Sequence, residues 1–272
     1  MKKQIMTVLS AAAAASLLAS GIAAAPAVDG RKTCEAYIAD VKLDGKVDEV
    51  WKYAPEIKVD TVKQNASAWF GDTSKVAGVD YATLTCKVLW NGKDTLYLLY
   101  EVKDKTISLA GANPWEKDSI EYFVQLDNST DSSAAKTQKR LMADNSASDI
   151  AASDYGYSVT SDGFIYEIAV DVSAVGGAGQ YLGIDFQYND DAEGKGVRNV
   201  CLGWSDSIDK ASSDPSVYGQ CLLSDVTVAD LIAAEKAAAE ASKAPATADP
   251  IALMAASCAA AFAGIAAFRR RK

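Results

Sequence analysis

Hydrophobic and polar positions alternate through most of the middle of the chain. In "SIEYFVQL" (119–126), Ile120, Tyr122, Val124 and Leu126 share one face. Phe164, Tyr166, Ile168 and Val170 do so in "FIYEIAVDV" (164–172), and Leu182, Ile184, Phe186 and Tyr188 in "LGIDFQYN" (182–189). A period of two marks a half-buried strand. The same β-branched and aromatic bias runs through "EAYIADVKL" (35–43), "TLTCKVLW" (83–90), "TLYLLYEVK" (95–103), "GYSVTS" (156–161) and "VRNVCLGW" (197–204). Turn-forming clusters such as "NGKD" (91–94) and "SDGF" (161–164) separate them. Many short strands in one stretch predict an all-β fold, an antiparallel two-sheet β-sandwich of jelly-roll or immunoglobulin-like type. "DEVW" (48–51) predicts one early helical turn, and the Ala-rich, charged "VADLIAAEKAAAEASKA" (228–244) predicts a helical spacer.

Both ends depart from this pattern. Lys2 and Lys3 precede an apolar run, and small residues follow at Ala23, Ala24, Ala25 and Ala27, which is the layout of a secretory signal peptide. At the other end, residues 251–268 carry no charge and "RRRK" closes the chain, so a transmembrane helix with a cytoplasmic tail is expected. The expected organisation is a signal peptide at 1–27, a β-sandwich domain at 28–225, a spacer at 226–243 and an anchoring tail at 244–272. The tail resembles the cell-wall sorting signals of Gram-positive bacteria, in which a Pro-x-Thr motif, here Pro245 and Thr247, stands before the apolar span. That resemblance implies cleavage after Thr247 by a sortase and linkage to peptidoglycan. The usual Leu before Pro and Gly after Thr are replaced by Ala244 and Ala248, which leaves a plain membrane anchor as the alternative. Either way the domain is expected to be extracellular, anchored to wall or membrane.

Charge narrows the partners. The terminal segments hold six of the 27 basic side chains and no acids, so residues 29–249 carry 21 basic against 36 acidic groups, a net −15. Such a surface repels nucleic acid and suits neutral ligands or divalent cations. Four of the five cysteines, Cys34, Cys86, Cys201 and Cys221, fall in the domain. Two disulfides in three connectivities are possible, and Cys201–Cys221, flanking a turn-rich segment, is the expected pair. Zinc is disfavoured because there is no CxxC and no histidine.

With Ile120 and Tyr122 turned into the core, Glu121 must face away, as must Gln187, between Phe186 and Tyr188, and Asn189 just after them. Trp115, in the polar turn "NPWEKD", stands outside the alternation. A carboxylate, two amides and an indole suit a sugar, whose C–H face stacks on the ring while its hydroxyls meet polar groups.

The residues also carry a resemblance. "DGKVDEVW" (44–51), "LYLLYEVKDK" (96–105), "NPWEKDSIEYFVQLD" (113–127), "GIDFQYNDDAEGKGVR" (183–198), "LGWSD" (202–206) and "DPSVYGQCLL" (214–223) resemble family 9 carbohydrate-binding modules, over about 33–224. The resemblance implies a β-sandwich that binds reducing ends of β-glucans, xylans or their oligosaccharides in support of polysaccharide catabolism. It implies a sugar site of Trp115, Glu121, Arg140, Gln187, Asn189 and Arg198, and structural calcium. The family's second stacking Trp falls where this chain has Ser212; Tyr218 could substitute, although a core role suits it better, and Trp204 matches a different, structural Trp. "LDNSTD" (126–131) and "NDDAEG" (189–194) are oxygen-rich loops that could hold calcium. No nucleotide is expected, and haem is disfavoured because histidine is absent. The competing readings are a structural or adhesion domain of the envelope that binds nothing and, behind it, a glycoside hydrolase using a carboxylate pair such as Glu121 and Glu167. No enzymatic activity is expected.

Overall fold

In the computed structural model, which describes residues 26–63 and 78–242, the alternating segments become strands. These are β1 (Thr33–Ile38), β2 (Ile57–Lys58), β3 (Thr61–Val62), β4 (Thr83–Trp90), β5 (Thr95–Lys103), β6 (Ser119–Gln125), β7 (Thr137–Met142), β8 (Tyr155–Val159), β9 (Gly163–Asp171), β10 (Tyr181–Asp190), β11 (Val200–Gly203) and β12 (Gly219–Thr227), followed by helix α1 (Val228–Ala241). The early helical turn is a 3-10 turn at Glu49–Tyr53. Four strands went unread in the sequence, the long β12 among them. Strands β2 and β3 are two residues each, and β7, "TQKRLM", is too polar to show alternation.

Strand β10 organises the fold. One edge pairs with β6 along residues 183–189. The other pairs first with β12, at 181–184, and then with β11, at 187–190. The ladder therefore divides at β10. One branch runs β12-β1-β4-β5-β9-β8 and the other adds β11-β3, while β6 and β7 extend from the opposite edge. The β4-β5-β9 layer lies against β6-β10 across a shared aromatic core. Tyr100 meets Phe186 edge-on at 5.8 Å, Phe164 meets Tyr188 at 6.2 Å, and the Tyr100 hydroxyl donates to the Glu121 carbonyl at 2.9 Å. Removing one such ring, as in Phe186→Ala, should cost about 3–5 kcal/mol. Antiparallel pairing does not hold throughout, because β1 is parallel to both β12 and β4. Long stretches of chain join these neighbours, so no hairpin fixes their direction.

The outer face of the second layer is not the open face that alternation implied. Every residue of β6 is buried. The segment after β11 folds over this face, packing Ala211 and Tyr218 on Phe123. Its backbone is clamped by two carboxylates. Asp185 accepts from the Ser205 and Asp206 N–H groups, and Asp206 accepts from those of Ile208, Lys210 and Ala211. On the first layer's outer face, Trp51, Leu89 and Leu99 make a second small core that takes in Val228, the first residue of α1. Thr227 and Asp230 cap the helix reciprocally, and the Tyr53 hydroxyl donates to Glu235, so its start is docked on the domain. Strand β12 runs into this cap without a break, two residues beyond the expected boundary at 225.

The expected Cys201–Cys221 disulfide is overturned. Cys201 lies opposite Asn189 and Cys221 opposite Leu182, seven residues apart on β10. That is about 23 Å along a strand and, seven being odd, on opposite faces. The structure draws no disulfide among the four described cysteines. The signal peptide, apart from residues 26 and 27, the sortase motif Pro245 and Thr247, and the 251–268 span lie outside the described residues. No helix among the described residues is long and apolar enough to cross a membrane.

Candidate functional site

The alternation of β6 and β10 turns Glu121, Gln187 and Asn189 to the same side, and the ladder sets Glu121 level with Gln187 and Arg140. Their side chains form one network. Glu121 Oε1 accepts from Arg140 Nη2 at 2.7 Å and Nε at 3.0 Å, from Asn189 Nδ2 at 2.6 Å and from Gln187 Nε2 at 3.3 Å. Oε2 accepts from Gln138 Nε2 at 2.5 Å. Asn189 Oδ1 accepts from Arg198 Nη1 and Gln187 Nε2, and Arg198 Nη2 donates to Asp209 at 2.9 Å. Five of the six residues expected at the site therefore touch one another directly. The sixth, Trp115, stands on the 3-10 turn Pro114–Glu116 just ahead of β6. Glu116 fixes that turn by accepting from the Asn113 backbone N–H and amide. The indole is 46% exposed and joins no core cluster among the described residues.

The floor of the network is sealed, with Glu121, Gln187, Asn189 and Arg198 all buried, whereas Gln138 and Arg140 on β7 reach partial exposure. Access is thus from the β7 side. Ser212 is exposed on the covering segment, and Tyr218 is inside the fold with its hydroxyl on the Ala211 carbonyl, so Tyr218 is not a second stacking wall. Trp204 packs on Phe186 in the core, the structural role given to it.

Sequence reasoning missed Lys63. Its ammonium, fully buried, donates to Gln187 Oε1 at 2.5 Å and Asp206 at 2.9 Å, and lies 5.8 Å from the Phe123 ring. The contact orients Gln187, whose oxygen is taken by Lys63 so that its amide N–H groups face Glu121 and Asn189. Gly203 makes room, since a Cβ there would come within 2.5 Å of Lys63 Cε. Burial opposes the charge on both ends of the Lys63–Asp206 pair. Cys201 and the Asp185 and Asp206 carboxylates around Lys63 nonetheless raise it above the usual lysine range, and the ammonium and backbone N–H groups hold Asp206 below the usual carboxylate range. A lone lysine after two strand residues carries no signal of this in sequence.

Glu167 is not part of the network. It is buried on the outer side of β9, where it accepts from Trp51 Nε1 and the Asp44 and Gly45 N–H groups and binds the "DGKVDEVW" segment to the sheet. Glu121 and Glu167 sit on outer faces of opposing layers, so they do not flank a common substrate as a hydrolase pair must.

A second polar cluster adjoins the first. Asp104, Asp118 and Asp190 place carboxylate oxygens within 4.8 Å of one another, all buried. Asp118 accepts from the Ser108 and Asp191 N–H groups, Asp190 Oδ2 from Ala82 N–H, and Asp104 from Tyr188 Oη. Asp190 Oδ1 is buried without a hydrogen-bond partner. Burial first, and then the neighbouring carboxylates, push Asp118 up to about 8 and Asp190 up to about 7, against the backbone N–H groups that bind them. Oxygen donors with an unpartnered lone pair fit a hard divalent cation. Of the two loops expected to hold calcium, 189–194 supplies Asp190. In 126–131, Asn128 is instead bound to Arg31, Gln220 and the Pro26 carbonyl.

A strand-rich sandwich with a buried polar network on β6 and β10, and a half-exposed indole on the turn ahead of β6, suits a sugar-binding module, and the comparisons give the family. Residues 43–226 match the family profile described as "Carbohydrate family 9 binding domain-like". The chain belongs to this family. It is 33% identical over 195 residues to endo-1,4-beta-xylanase C of Paenibacillus barcinonensis, an alignment covering 66% of this chain but 16% of that enzyme. Among solved structures it is similar to a carbohydrate binding module family 9 from Caldicellulosiruptor kristjanssonii in complex with glucose, with TM-score 0.59, 21% identity, and 71% of this chain and 95% of that one covered. The same module in complex with cellotriose gives TM-score 0.58 and 20% identity over 71% of this chain and 94% of that one. At this identity the two structures speak for the fold.

Proposed function

We propose that the domain binds the ends of soluble β-glucan or xylan oligosaccharides and does not cleave them. The observation that carries this reading is the network joining Arg140, Glu121, Gln187, Asn189 and Arg198, with Trp115 exposed on the turn that leads into β6. Without ligand these groups satisfy one another. A sugar hydroxyl donating to Glu121 and accepting from Arg140 exchanges one set of charge-assisted hydrogen bonds for another at little cost. The indole then supplies the apolar contact. Membership of the family, the similarity to part of a xylanase, and modules of like fold in complex with glucose and cellotriose support the ligand class. Among the described residues, with Ser212 exposed and Tyr218 internal, Trp115 is the aromatic wall this reading uses, and weak binding is expected. Export, and anchoring to wall or membrane, accord with this role and rest on the two terminal segments.

The test is titration of glucose, cellobiose and xylobiose followed by calorimetry and tryptophan fluorescence, repeated with Glu121→Gln. Saturable binding that the variant loses supports the reading. Silence from every sugar, with the fold intact, favours an envelope spacer.

The unpartnered Asp190 oxygen favours a second assignment, calcium held by Asp104, Asp118 and Asp190. Asp118 precedes Ser119, which hydrogen-bonds Asn189, and Asp190 follows Asn189. The ion would therefore brace the strand ends that carry the sugar site and the Trp115 turn. A melting temperature unmoved by EDTA and by added calcium would overturn this assignment.

A further inference from the structure

We propose that Cys34 and Cys221 are a disulfide site that ties the first strand of the domain to its last. The two residues are register partners in the parallel pair of β1 and β12. Neighbouring strands run about 4.7–4.9 Å apart, inside the roughly 4.4–6.8 Å between Cα atoms that a disulfide spans. Both side chains enter the main core, so the sulfurs leave the same face. Burial, and then the neighbouring Cys221 thiol, push the Cys34 thiol well up.

A third thiol competes for Cys34. Strands β1 and β4 pair Tyr37 with Leu89 and Ile38 with Trp90, and the same register carried back sets Cys34 level with Cys86. That pairing is confined to residues 37 and 38, whereas β1 and β12 hold register from Thr33 through Ala36. Cys34 therefore joins Cys221, and Cys86 stays a thiol, as does Cys201 on the far side of the sheet.

The bond forms by exchange with a disulfide oxidant, either a small molecule or a protein. One cysteine thiolate attacks the oxidant's S–S bond, releasing a first thiolate and leaving a mixed disulfide. The second cysteine thiolate attacks the protein sulfur of that mixed disulfide and displaces the other thiolate. Two protein S–H groups become one S–S bond, and the oxidant leaves as two thiols carrying both electrons and both protons. Burial disfavours the thiolate, so exchange belongs to the folding chain, before β1 and β12 close.

The test folds the full chain in reduced and oxidised glutathione, then unfolds it in an alkylating agent. The expected product retains three of its five thiols and yields one crosslinked peptide pair joining Cys34 to Cys221. Cys34→Ser and Cys221→Ser should each abolish the pair, and Cys86→Ser and Cys201→Ser should leave it. Reduction should lower the melting temperature of the native chain by roughly 5–15 °C and that of a Cys34→Ala/Cys221→Ala double variant not at all. Five alkylated cysteines after oxidative folding, or a crosslink through Cys86 or Cys201, would overturn the assignment.

Discussion

Glu121 and Asp118 lie three residues apart in sequence, both nearly sealed from solvent, and their surroundings differ in one respect. Around Glu121 the carboxylates of the network each have a cation, with Arg140 on Glu121, Arg198 on Asp209 and Lys63 on Asp206, while Asp185 on the same face is held by backbone N–H groups. Around Asp118 there are three carboxylates and no basic side chain in the cluster. Burying a charge is costly unless it is paired, and an unpaired group takes a proton instead. One cluster is thus neutralised from within and preorganised for a neutral guest. The other holds protons at neutral pH unless a cation displaces them. The two proposed sites, for a sugar and for calcium, would then share the same strands.

The comparison breaks hardest at Lys63. Replacing it by Met removes the one cation that Asp206 and Gln187 share, leaving a buried carboxylate uncompensated. The expected cost is about 3–5 kcal/mol, read from denaturant unfolding. Asp206 also holds the segment that bears Ser212, so sugar affinity should fall with stability. A Lys63→Met domain as stable as the parent would show that the ammonium is not the internal counter-ion.

A smaller effect separates the Asp cluster. The folded-state values of Asp118 and Asp190, about 8 and about 7, lie above the ordinary carboxylate value near 4. Between those limits the metal-free folded protein binds more protons than the unfolded chain. Stability from this cluster is therefore fully present at the acid end and is lost as pH rises through 7 and 8. In EDTA the melting temperature should decline across that window. Calcium at about 100 times its dissociation constant should restore about 2.7 kcal/mol and flatten the decline, with protons released on binding. Asp190→Asn should weaken the calcium response while leaving the Glu121 network in place. A calcium response that survives this variant unchanged would place the ion elsewhere.

The two clusters were unequally legible in the sequence. Alternation in "SIEYFVQL" and "LGIDFQYN" was enough to turn Glu121, Gln187 and Asn189 to one side, because a strand has only two faces. It could not show that the outward side is buried, since the cover comes from the segment after β11 and depends on Asp185 and Asp206 binding its backbone. Strand β7 escaped because the residues that serve the site, Gln138 and Arg140, displaced the hydrophobic pattern that would have revealed it. The Asp cluster draws on Asp104, Asp118 and Asp190 from separate segments, so only Asp190 lay in an oxygen-rich loop. The cysteines failed for the same reason. Nearness in sequence suggested Cys201 with Cys221, while sheet order sets Cys221 beside Cys34.

The smallest effects concern the open side of the sugar site and should leave stability untouched. Trp115→Ala removes a half-exposed ring that no core cluster uses, so the melting temperature should hold while affinity falls about 5- to 150-fold, the equivalent of one stacking contact worth about 1–3 kcal/mol. Ser212→Trp asks the converse. Ser212 is exposed, and its neighbour Ala211 is fixed through its N–H on Asp206 and its carbonyl on the Tyr218 hydroxyl. A ring placed there would be held by a rigid backbone at little entropic cost, on the segment that already covers β6. If the single wall limits binding, this substitution should tighten cellobiose about fivefold or more, and the new indole should report the sugar by fluorescence. An unchanged affinity in calorimetry, with the new indole silent, would mean that position 212 does not face the site and that the polar network sets the affinity.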